Sequence, residues 1–292
     1  MKSLVIGMGI GQLYKTVLEQ LGSTVVTVDS DPSKKAQYLS VDIAILVEGP
    51  FDTAHICTPN FTHFSLAAQV AKHSKIVFVD KPGVTDSHSW NMLVSGFPDT
   101  RFMMVKNNMW RSNISDLQSK ATKAKVVNIK WIRRNCIPSP GSWFTTKKLA
   151  FGGVSRDLMP HLLSLYVAMN SKWMDEAVSG QTALMCWMLK DIESTDYGVI
   201  NPNGTYDVDD LCVINFGTKW KLEANWRSMI EEDSSIEFIM PDDSVERFEL
   251  GWCPEEAYYN MIKETLEQIN NKKYWLDQCE IDSWIHKQIQ GL

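Results

Sequence analysis

The chain has 292 residues, which at roughly 100–200 residues per domain is one large domain or two ordinary ones. Hydrophobic residues make up 44% of it, enough for a sizeable core, so global disorder is excluded. The formal net charge is −6, which argues against a bulk nucleic-acid binder, because such proteins normally present a basic face.

Neither a membrane segment nor a disulfide framework is predicted. No apolar stretch reaches the ~18–20 residues that a membrane helix needs, and the first residues do not read as a secretory signal. The six cysteines are scattered and form no CxxC pair, so the sequence supports no zinc site. We expect a cytoplasmic protein with reduced thiols and no bound metal.

The first 110 residues alternate between strand-like and helix-like segments. Helical spacing of apolar residues occurs over 11–21 and 63–72. Short apolar runs between them read as strands, at 4–6, 24–28, 43–47, 53–57, 76–79 and 103–105. Strands that are apolar across both faces and separated by helices indicate an α/β unit, with a parallel sheet and helices packed on it.

The pattern changes after residue 111. A helix is predicted over 154–168 and another over 254–269, and strands are predicted at 126–132, 179–188, 211–216, 219–226, 235–240 and 245–250. Polar turns between spaced strands favour an α+β domain with a large, mostly antiparallel open sheet. We therefore expect one domain at 1–111 and a second domain at 112–292.

A glycine-rich segment joins the first predicted strand to the first helix. It reads Gly7-Met8-Gly9-Ile10-Gly11, and glycine there lets the backbone turn tightly and approach a pyrophosphate at a helix N-terminus. The usual G-x-G-x-x-G spacing would put the third glycine at position 12, where this chain has Gln12. With the loop one residue shorter, Gly11 serves as the third glycine.

An acidic residue ends the second predicted strand. A carboxylate at Asp29 can accept hydrogen bonds from the hydroxyls of an adenosine ribose, and it would repel a 2′-phosphate. This favours NAD(H), while the nearby Ser30, Lys34 and Lys35 leave NADP(H) possible. A glycine-containing βα turn without any nucleotide is the alternative.

Two further motifs follow strand ends in this half. Thr58-Pro59-Asn60, with His63 beyond it, opens a helix at the carboxyl edge of the sheet, where ligands of such folds bind. A capped proline turn without a ligand explains the same residues. Lys81 of Asp80-Lys81-Pro82 emerges from a buried strand, where an amine needs a partner or a function, although an exposed loop lysine is also common.

The second half contains an acid–histidine pair. In the segment from Gly152-Gly153 to His161, Asp157 and His161 are four residues apart and share a helix face. A histidine beside a carboxylate suits proton transfer near neutral pH. An ordinary surface pair has the same spacing.

Taken in order, these four motifs resemble the Gfo/Idh/MocA family of nicotinamide-dependent oxidoreductases. That family has a glycine-rich loop, a T-P-N turn, an E-K-P motif and a G-G-G-x-x-x-D-x-x-x-H motif. This chain departs from the pattern in its shortened glycine loop, in Asp80 where the family has glutamate, and in having two glycines, Gly152 and Gly153, before the acid.

The resemblance implies an enzyme of two domains. Residues 1–111 would form a dinucleotide-binding Rossmann domain with a doubly wound parallel sheet, and residues 112–292 would bind the substrate and form the oligomer interface. The enzyme would move a hydride between NAD(P)(H) and a secondary alcohol or ketone of a sugar or cyclitol. Carried over, Lys81 orients the nicotinamide and the substrate oxygen, His161 is the general acid/base, and Asp157 positions substrate and histidine. The cofactor would contact Lys81 and the glycine loop, Asp29 and the T-P-N turn, that is Gly7, Gly9, Ile10, Gly11, Asp29, Thr58, Pro59, Asn60 and His63. Further polar candidates are Asn107, Trp143 and Arg156.

Two other functions stay open. Biliverdin reductases share this fold, and the 11 tryptophans and 14 methionines could line a pocket for a bilin, although they more simply fill the core. A non-catalytic NAD(H)-binding regulator would use the same nucleotide loop. In either case the resemblance implies a small-molecule ligand, neither a nucleic acid nor a membrane as partner, and a homo-oligomer, dimer or tetramer, formed through the second-domain sheet.

Overall fold

The computed structural model describes residues 1–292, which divide into two compact units. The first unit comprises 1–105 and 254–290, and the second comprises 106–253 with the last two residues. The prediction placed all residues after 111 in the second domain, whereas in the structure residues 254–290 belong to the first unit. Residues 254–290 return to the first unit because their helices pack on its helices and its last strand.

The first unit is built on a five-stranded parallel sheet with the order β2-β1-β3-β4-β5. Its strands are β1 (Lys2–Ile6), β2 (Thr24–Val28), β3 (Phe51–Ile56), β4 (Ser74–Val79) and β5 (Arg101–Met104). The connecting helices are α1 (Gly11–Gln20), α2 (Val41–Glu48), α3 (His63–Ala71) and α4 (Ser87–Gly96). The expected Rossmann-like parallel sheet is thus confirmed.

The segment between β2 and β3 departs from the prediction. Residues 43–47, an apolar run that resembles a strand, lie in the helix α2, which buries Val41 and Ala44 and leaves Leu46 86% exposed. Beyond β2 the sheet gains only an isolated parallel bridge between Val28 and Tyr38. The run is apolar on every side, and its hydrophobicity alone could not decide between strand and helix.

Two C-terminal helices complete the first unit. The helix α9 (Glu255–Glu267) packs on α1, and α10 (Lys272–Ile289) packs on α4 and β5. The side chain of Asn271 caps α10 by accepting a hydrogen bond from the Tyr274 amide. The sequence prediction contained α9 but not α10.

The second unit contains a six-stranded sheet with the order β11-β10-β6-β9-β8-β7, in which only β6 and β9 are parallel neighbours. The strands are β6 (Val126–Ile132), β7 (Val178–Leu184), β8 (Leu211–Phe216), β9 (Trp220–Asn225), β10 (Asp233–Ile239) and β11 (Val245–Glu249). The helices are α5 (Ile114–Lys123), α6 (Lys147–Ala150), α7 (Val154–Asp157) and α8 (Met159–Met169). The mostly antiparallel sheet is as predicted.

The two faces of this second sheet differ in character. Alternate residues of β6, β8 and β9 are buried, and the buried helix α8 packs on β6 and β9. The opposite face carries an ion-pair network, in which Asp233 lies 3.2 Å from Lys130 and 2.7 Å from Arg247. No helix in the structure combines the length and apolar character that a membrane span requires.

Candidate functional site

The glycine loop follows β1 and packs against the turn after β3. Gly7 has a φ of +91°, and its amide donates to the Val28 carbonyl at 2.8 Å. A Cβ on Gly7 would lie 2.6 Å from the Cys57 carbonyl oxygen, so no larger residue fits. The strand order reverses between β1 and β3, and ligands of open α/β sheets bind at such a point.

Among the remaining loop residues, Gly11 is closely packed, whereas Gly9 and Ile10 are open to solvent. A Cβ on Gly11 would lie 2.9 Å from a Val5 methyl group, so Gly11 allows α1 to approach β1 closely, which is the role of the third glycine. A Cβ on Gly9 would meet no atom within 4 Å, so Gly9 faces open space. Ile10 precedes the first helical residue and is 40% exposed. The loop thus presents Gly9, Ile10 and the N-terminal end of α1 outward.

Asp29 links the glycine loop to the end of β2. Its carboxylate accepts hydrogen bonds from the amides of Met8, at 2.7 Å, and Asp31, at 2.9 Å. A carboxylate has about four lone-pair positions, so hydroxyl groups can still donate to it. Asp31, two residues further along the chain, is a second acidic residue. Hydrogen bonds from Ser33 lower the pKa of its carboxyl.

The T-P-N turn is held by hydroxyl and imidazole contacts. The hydroxyls of Thr58 and Thr62 lie 2.6 Å apart, and Asn60 begins a short 3-10 helix. His63 is buried, with Nδ1 at 2.6 Å from the Gly83 carbonyl and Nε2 at 2.8 Å from the Thr58 carbonyl. Burial lowers the pKa of His63, although both carbonyls act to raise it. His63 therefore connects two loops rather than presenting its ring at the surface.

Lys81 lies in a tight turn after β4. The Asp80 amide donates to Ile56 of β3, and the Gly83 amide donates back to the Asp80 carbonyl, both at 2.9 Å. Lys81 itself is half-buried. The turn therefore places Lys81 at the carboxyl edge of the sheet, beside the turn that follows β3.

His286 of α10 supports the same turn, and the sequence analysis did not identify it. Its Nε2 accepts from the Val84 amide at 3.0 Å, while Nδ1 donates to the Asp282 carbonyl at 2.6 Å. The ring stacks on Trp90 at 5.0 Å and leaves no room for a side chain at Gly83. Since 202 residues separate Val84 from His286, no local pattern could have revealed this contact.

In the second unit, the acid–histidine pair lies at a break between two helices. The predicted helix is interrupted at Leu158, where α7 ends and α8 begins, and Pro160 lies in the first turn of α8. Within residues 152–167, only Asp157 and His161 are not fully buried. Asp157 and His161 are thus the two partly exposed residues of this otherwise buried segment.

Asp209 fixes the start of α7. Its carboxylate accepts from the amides of Gly153, at 2.8 Å, and Ser155, at 2.7 Å, and from the Ser155 hydroxyl at 2.9 Å. A Cβ on Gly153 would overlap the backbone carbonyl of Asp209. Gly153 therefore allows the Asp209 backbone to approach the start of the helix that carries Asp157.

Asp157 and His161 each have a buried polar neighbour. The indole Nε1 of Trp226 donates to Asp157 Oδ2 at 2.9 Å, and the Asn108 amide nitrogen lies 3.1 Å from His161 Nδ1. The Nε of Arg111 donates to the Asn108 amide oxygen at 2.8 Å. The sequence analysis identified neither Trp226 nor Asn108, which lie 69 and 53 residues from their partners.

Asn107, a further candidate from the sequence, has an unusual environment. It is fully buried, yet neither its amide nitrogen nor its amide oxygen has a hydrogen-bond partner within the protein. Buried amides are nearly always paired, so such a group is a candidate for contact with a ligand. Arg156 is buried, and Trp143 stacks on Phe144 with ring centroids 3.8 Å apart.

These residues support two kinds of chemistry. In the first unit, outward-facing backbone at a helix N-terminus suits phosphate groups, and Asp29 suits ribose hydroxyls. In the second unit, Asp157 and His161 supply a carboxylate and an imidazole that can bind or exchange the proton of a hydroxyl group. No cluster of three or more His, Cys, Asp or Glu side chains is arranged to hold a metal ion.

Residues 1–100 match the oxidoreductase family described as having an NAD-binding Rossmann fold, GFO_IDH_MocA. A curated relative is the "Putative UDP-kanosamine synthase oxidoreductase subunit" of Amycolatopsis mediterranei (strain S699). It is 24% identical over 177 residues, which cover 56% of this chain and 49% of the relative. The match thus spans about half the length of that relative.

Solved structures resemble the whole chain. GenD2 from gentamicin A biosynthesis, in complex with NAD, is 17% identical, with a TM-score of 0.74 over 99% of this chain and 92% of its own. Levoglucosan dehydrogenase, in complex with NADH and levoglucosan, is 14% identical, with a TM-score of 0.72 over 100% of this chain and 97% of its own. At these identities the similarity establishes the fold alone.

Proposed function

Because residues 1–100 match the Gfo/Idh/MocA oxidoreductase family, we propose that this chain belongs to that family and transfers a hydride between NAD(H) and a secondary alcohol or ketone of a sugar or cyclitol. The observation that carries the proposal is the glycine loop, which has Gly9 in open space and Asp29 bound to its backbone. The fold shared with levoglucosan dehydrogenase, which was solved with NADH and a sugar, supports the substrate class.

The residues of the first unit fit a dinucleotide. The open side of Gly9 and the N-terminal end of α1 would hold the pyrophosphate, because a helix N-terminus attracts anions. Asp29 would accept from the adenosine ribose, and the carboxylates of Asp29 and Asp31 would repel a 2′-phosphate. We therefore propose NAD(H) as the preferred cofactor and NADP(H) as the weaker one.

Three side chains are assigned to the substrate. The bound nicotinamide supplies or accepts the hydride, and the substrate oxygen must then gain or lose a proton while its developing charge is stabilised. We assign Lys81 and His161 to that oxygen, since an ammonium and an imidazole can each stabilise negative charge or exchange a proton. Asp157, held by Trp226, would orient the substrate through a second hydroxyl. The tautomer of His161 decides which of the first two groups exchanges the proton.

Cofactor binding and turnover are tested separately. NADH and NADPH are titrated against the protein, and sugars, cyclitols, their ketones and bilins are then screened for absorbance change at the nicotinamide band. We expect tighter NADH binding and turnover of a sugar or cyclitol. Lys81→Ala and His161→Ala should each remove turnover while cofactor affinity stays near that of the parent chain. Turnover at the parent rate in both variants would refute the assigned roles.

We further propose a homo-oligomer, dimer or tetramer, formed through the open face of the second sheet. That face pairs Lys130 and Arg247 with Asp233 and Glu237, and charges of both signs on one surface can complement a second copy. Light scattering during gel filtration measures the mass of the protein. A monomer at all concentrations would contradict this proposal without affecting the proposed reaction.

A further inference from the structure

Aromatic side chains of the second unit lead from His161 to the protein surface. The ring of His161 lies beside the buried indole of Trp131 in β6, with ring centroids 5.6 Å apart. Trp131 in turn contacts Trp252 in a T-shaped arrangement, with centroids 6.0 Å apart. Trp252 is 67% exposed. It therefore presents an indole to solvent no more than about 12 Å from His161.

Arg133, which follows β6, lies against the same indole. Its guanidinium carbon is 5.6 Å from the centre of the Trp252 ring, which is a cation–π contact. Its Nη1 lies 3.3 Å from a carboxylate oxygen of Glu232. Its Nε is buried and has no hydrogen-bond acceptor within the protein. Because buried donors are nearly always paired, Arg133 has a binding capacity that the protein itself does not use.

The second sheet brings Arg133 to the edge that also carries the partners of Asp157 and His161. The strands β6 and β9 are parallel neighbours, and the Arg133 amide donates to the Asn225 carbonyl at the end of β9, at 2.8 Å. The next residue, Trp226, holds Asp157 through its indole at 2.9 Å. The ends of two neighbouring strands therefore place Arg133 close to the residues that contact the acid–histidine pair.

An exposed indole beside a guanidinium suits one class of ligand. The apolar C–H face of a sugar or cyclitol ring packs against an indole, because both surfaces then leave water. A guanidinium forms paired hydrogen bonds with a carboxylate or a phosphate group. Since the net charge of the chain is −6, attraction of such an anion requires a local cation, which Arg133 supplies.

We propose that Trp252 and Arg133 form a subsite beside Asp157 and His161 that selects an acidic sugar or cyclitol, one that carries a carboxylate or a phosphate group. The indole packs against the ring, and the guanidinium binds the anionic group. Glu232 shares the guanidinium with this group, since its ion pair uses Nη1. The subsite deepens the proposed function by narrowing its substrate class, and it rests on that function for the reaction alone.

Binding of defined sugars tests the subsite without any turnover. The full chain is titrated by calorimetry with glucuronate, glucose 6-phosphate and glucose, with and without NADH. We expect at least one acidic sugar to bind about 10-fold or more tightly than glucose, the effect of one charge-assisted contact. The two acidic probes distinguish a carboxylate from a phosphate as the preferred group. Acidic sugars that bind no more tightly than glucose, or that do not bind, would overturn the inference.

Two adjacent arginines provide a matched pair of variants. Arg133→Gln and Arg134→Gln each remove one positive charge, and Arg134 is exposed. Arg133→Gln should abolish the preference for the acidic sugar, whereas Arg134→Gln should keep it within about twofold, because exposed charges contribute little. An equal loss in both variants would show that only the general charge of this surface matters, and it would overturn the role of Arg133.

The indole is tested by two further variants. Trp252→Ala removes a mostly exposed side chain, so the protein should still fold, and thermal unfolding checks this. It should weaken the binding of every sugar that the parent chain binds, while Trp252→Phe, which keeps an aromatic face, should retain most of the affinity. Unchanged affinities in Trp252→Ala would overturn the role of the indole.

Two measurements distinguish the subsite from the other proposals. Light scattering of Trp252→Ala should give the mass of the parent chain, and a lower mass with unchanged sugar binding would assign Trp252 to a contact between copies and overturn the subsite. Turnover of a neutral sugar that Arg133→Gln does not affect would overturn the subsite and leave the proposed function intact. Binding of an acidic sugar that is lost in Arg133→Gln, without turnover of any sugar, would support the subsite and refute the proposed function.

Discussion

Asn107 and Asn108 are adjacent, identical in type and both fully buried, but they differ in pairing. Asn108 bonds to Arg111 and His161, whereas neither polar atom of Asn107 has a partner within the protein. Replacement by leucine, which has the same branching, should therefore change stability in opposite directions. Asn107→Leu should stabilise the ligand-free chain, and Asn108→Leu should destabilise it.

The magnitudes follow from the number of unpaired groups. Each buried, unpaired polar atom costs about 1–3 kcal/mol, so removing two from Asn107 gains ~2–6 kcal/mol. Packing strain from the larger leucine offsets ~1–3 kcal/mol, leaving a net gain of about 2 kcal/mol. Asn108→Leu removes the contacts of Asn108 with Arg111 Nε and His161 Nδ1 and should cost about 2–5 kcal/mol.

Thermal and urea unfolding of the ligand-free variants measure these differences. At about 2–4 °C per kcal/mol, Asn107→Leu should raise Tm by roughly 4–8 °C, while Asn108→Leu lowers it. Asn107→Ala, which adds no atoms, should remain within about 1 kcal/mol of the parent chain, since lost packing offsets the relieved amide. A drop in Tm for Asn107→Leu as large as that for Asn108→Leu would refute the reasoning.

Three other perturbations have predicted outcomes. Gly9→Ala should weaken NADH binding without changing Tm, because the new Cβ would face open space. Gly11→Ala should lower Tm, because the new Cβ would lie too close to Val5 of β1. Titration with NADH measures the first effect and thermal unfolding the second. His286→Phe keeps a ring but no acceptor for Val84, so kcat should fall more than NADH affinity. Burial lowers the pKa of His55 to about 3. Below pH 6.5 the unfolded protein therefore binds more protons than the folded protein, and the free energy of unfolding falls as the pH is lowered. His55 alone should account for a loss of about 2 kcal/mol between pH 7.5 and 5. His55→Leu should remove that part of the loss, the part that remains should come from other groups such as His63, and exposed His73→Gln should leave the loss unchanged.

The second sheet could be predicted from the sequence because apolar and polar residues alternate along its strands. The predicted strands at 126–132 and 211–216 coincide with β6 and β8, and the others end within a few residues of the observed limits. Alternation marks a strand with one buried face, so hydrophobicity alone fixes its type. The apolar run at 43–47 lacked alternation, and there the strand prediction was wrong.

The helices were less completely predicted. The start of α7 depends on Asp209, which accepts hydrogen bonds from the amides of Gly153 and Ser155, 56 and 54 residues away, and cannot be seen in a local window. The helix α10 and its return to the first unit were missed, and with them the placement of residues 254–290. Each of these features depends on which distant surface a segment meets, which neither periodicity nor capping residues encode.

The candidate site was likewise only partly predicted from the sequence. The glycine loop and the acid–histidine pair were identified because their residue types recur at short spacing, whereas His286, Asp209, Trp226 and Asn108 contribute single contacts from distant segments. A motif can specify which functional groups are present, since backbone geometry within a few residues places them. It cannot specify the proton on an imidazole, because that is decided by whichever donor or acceptor faces the other ring nitrogen.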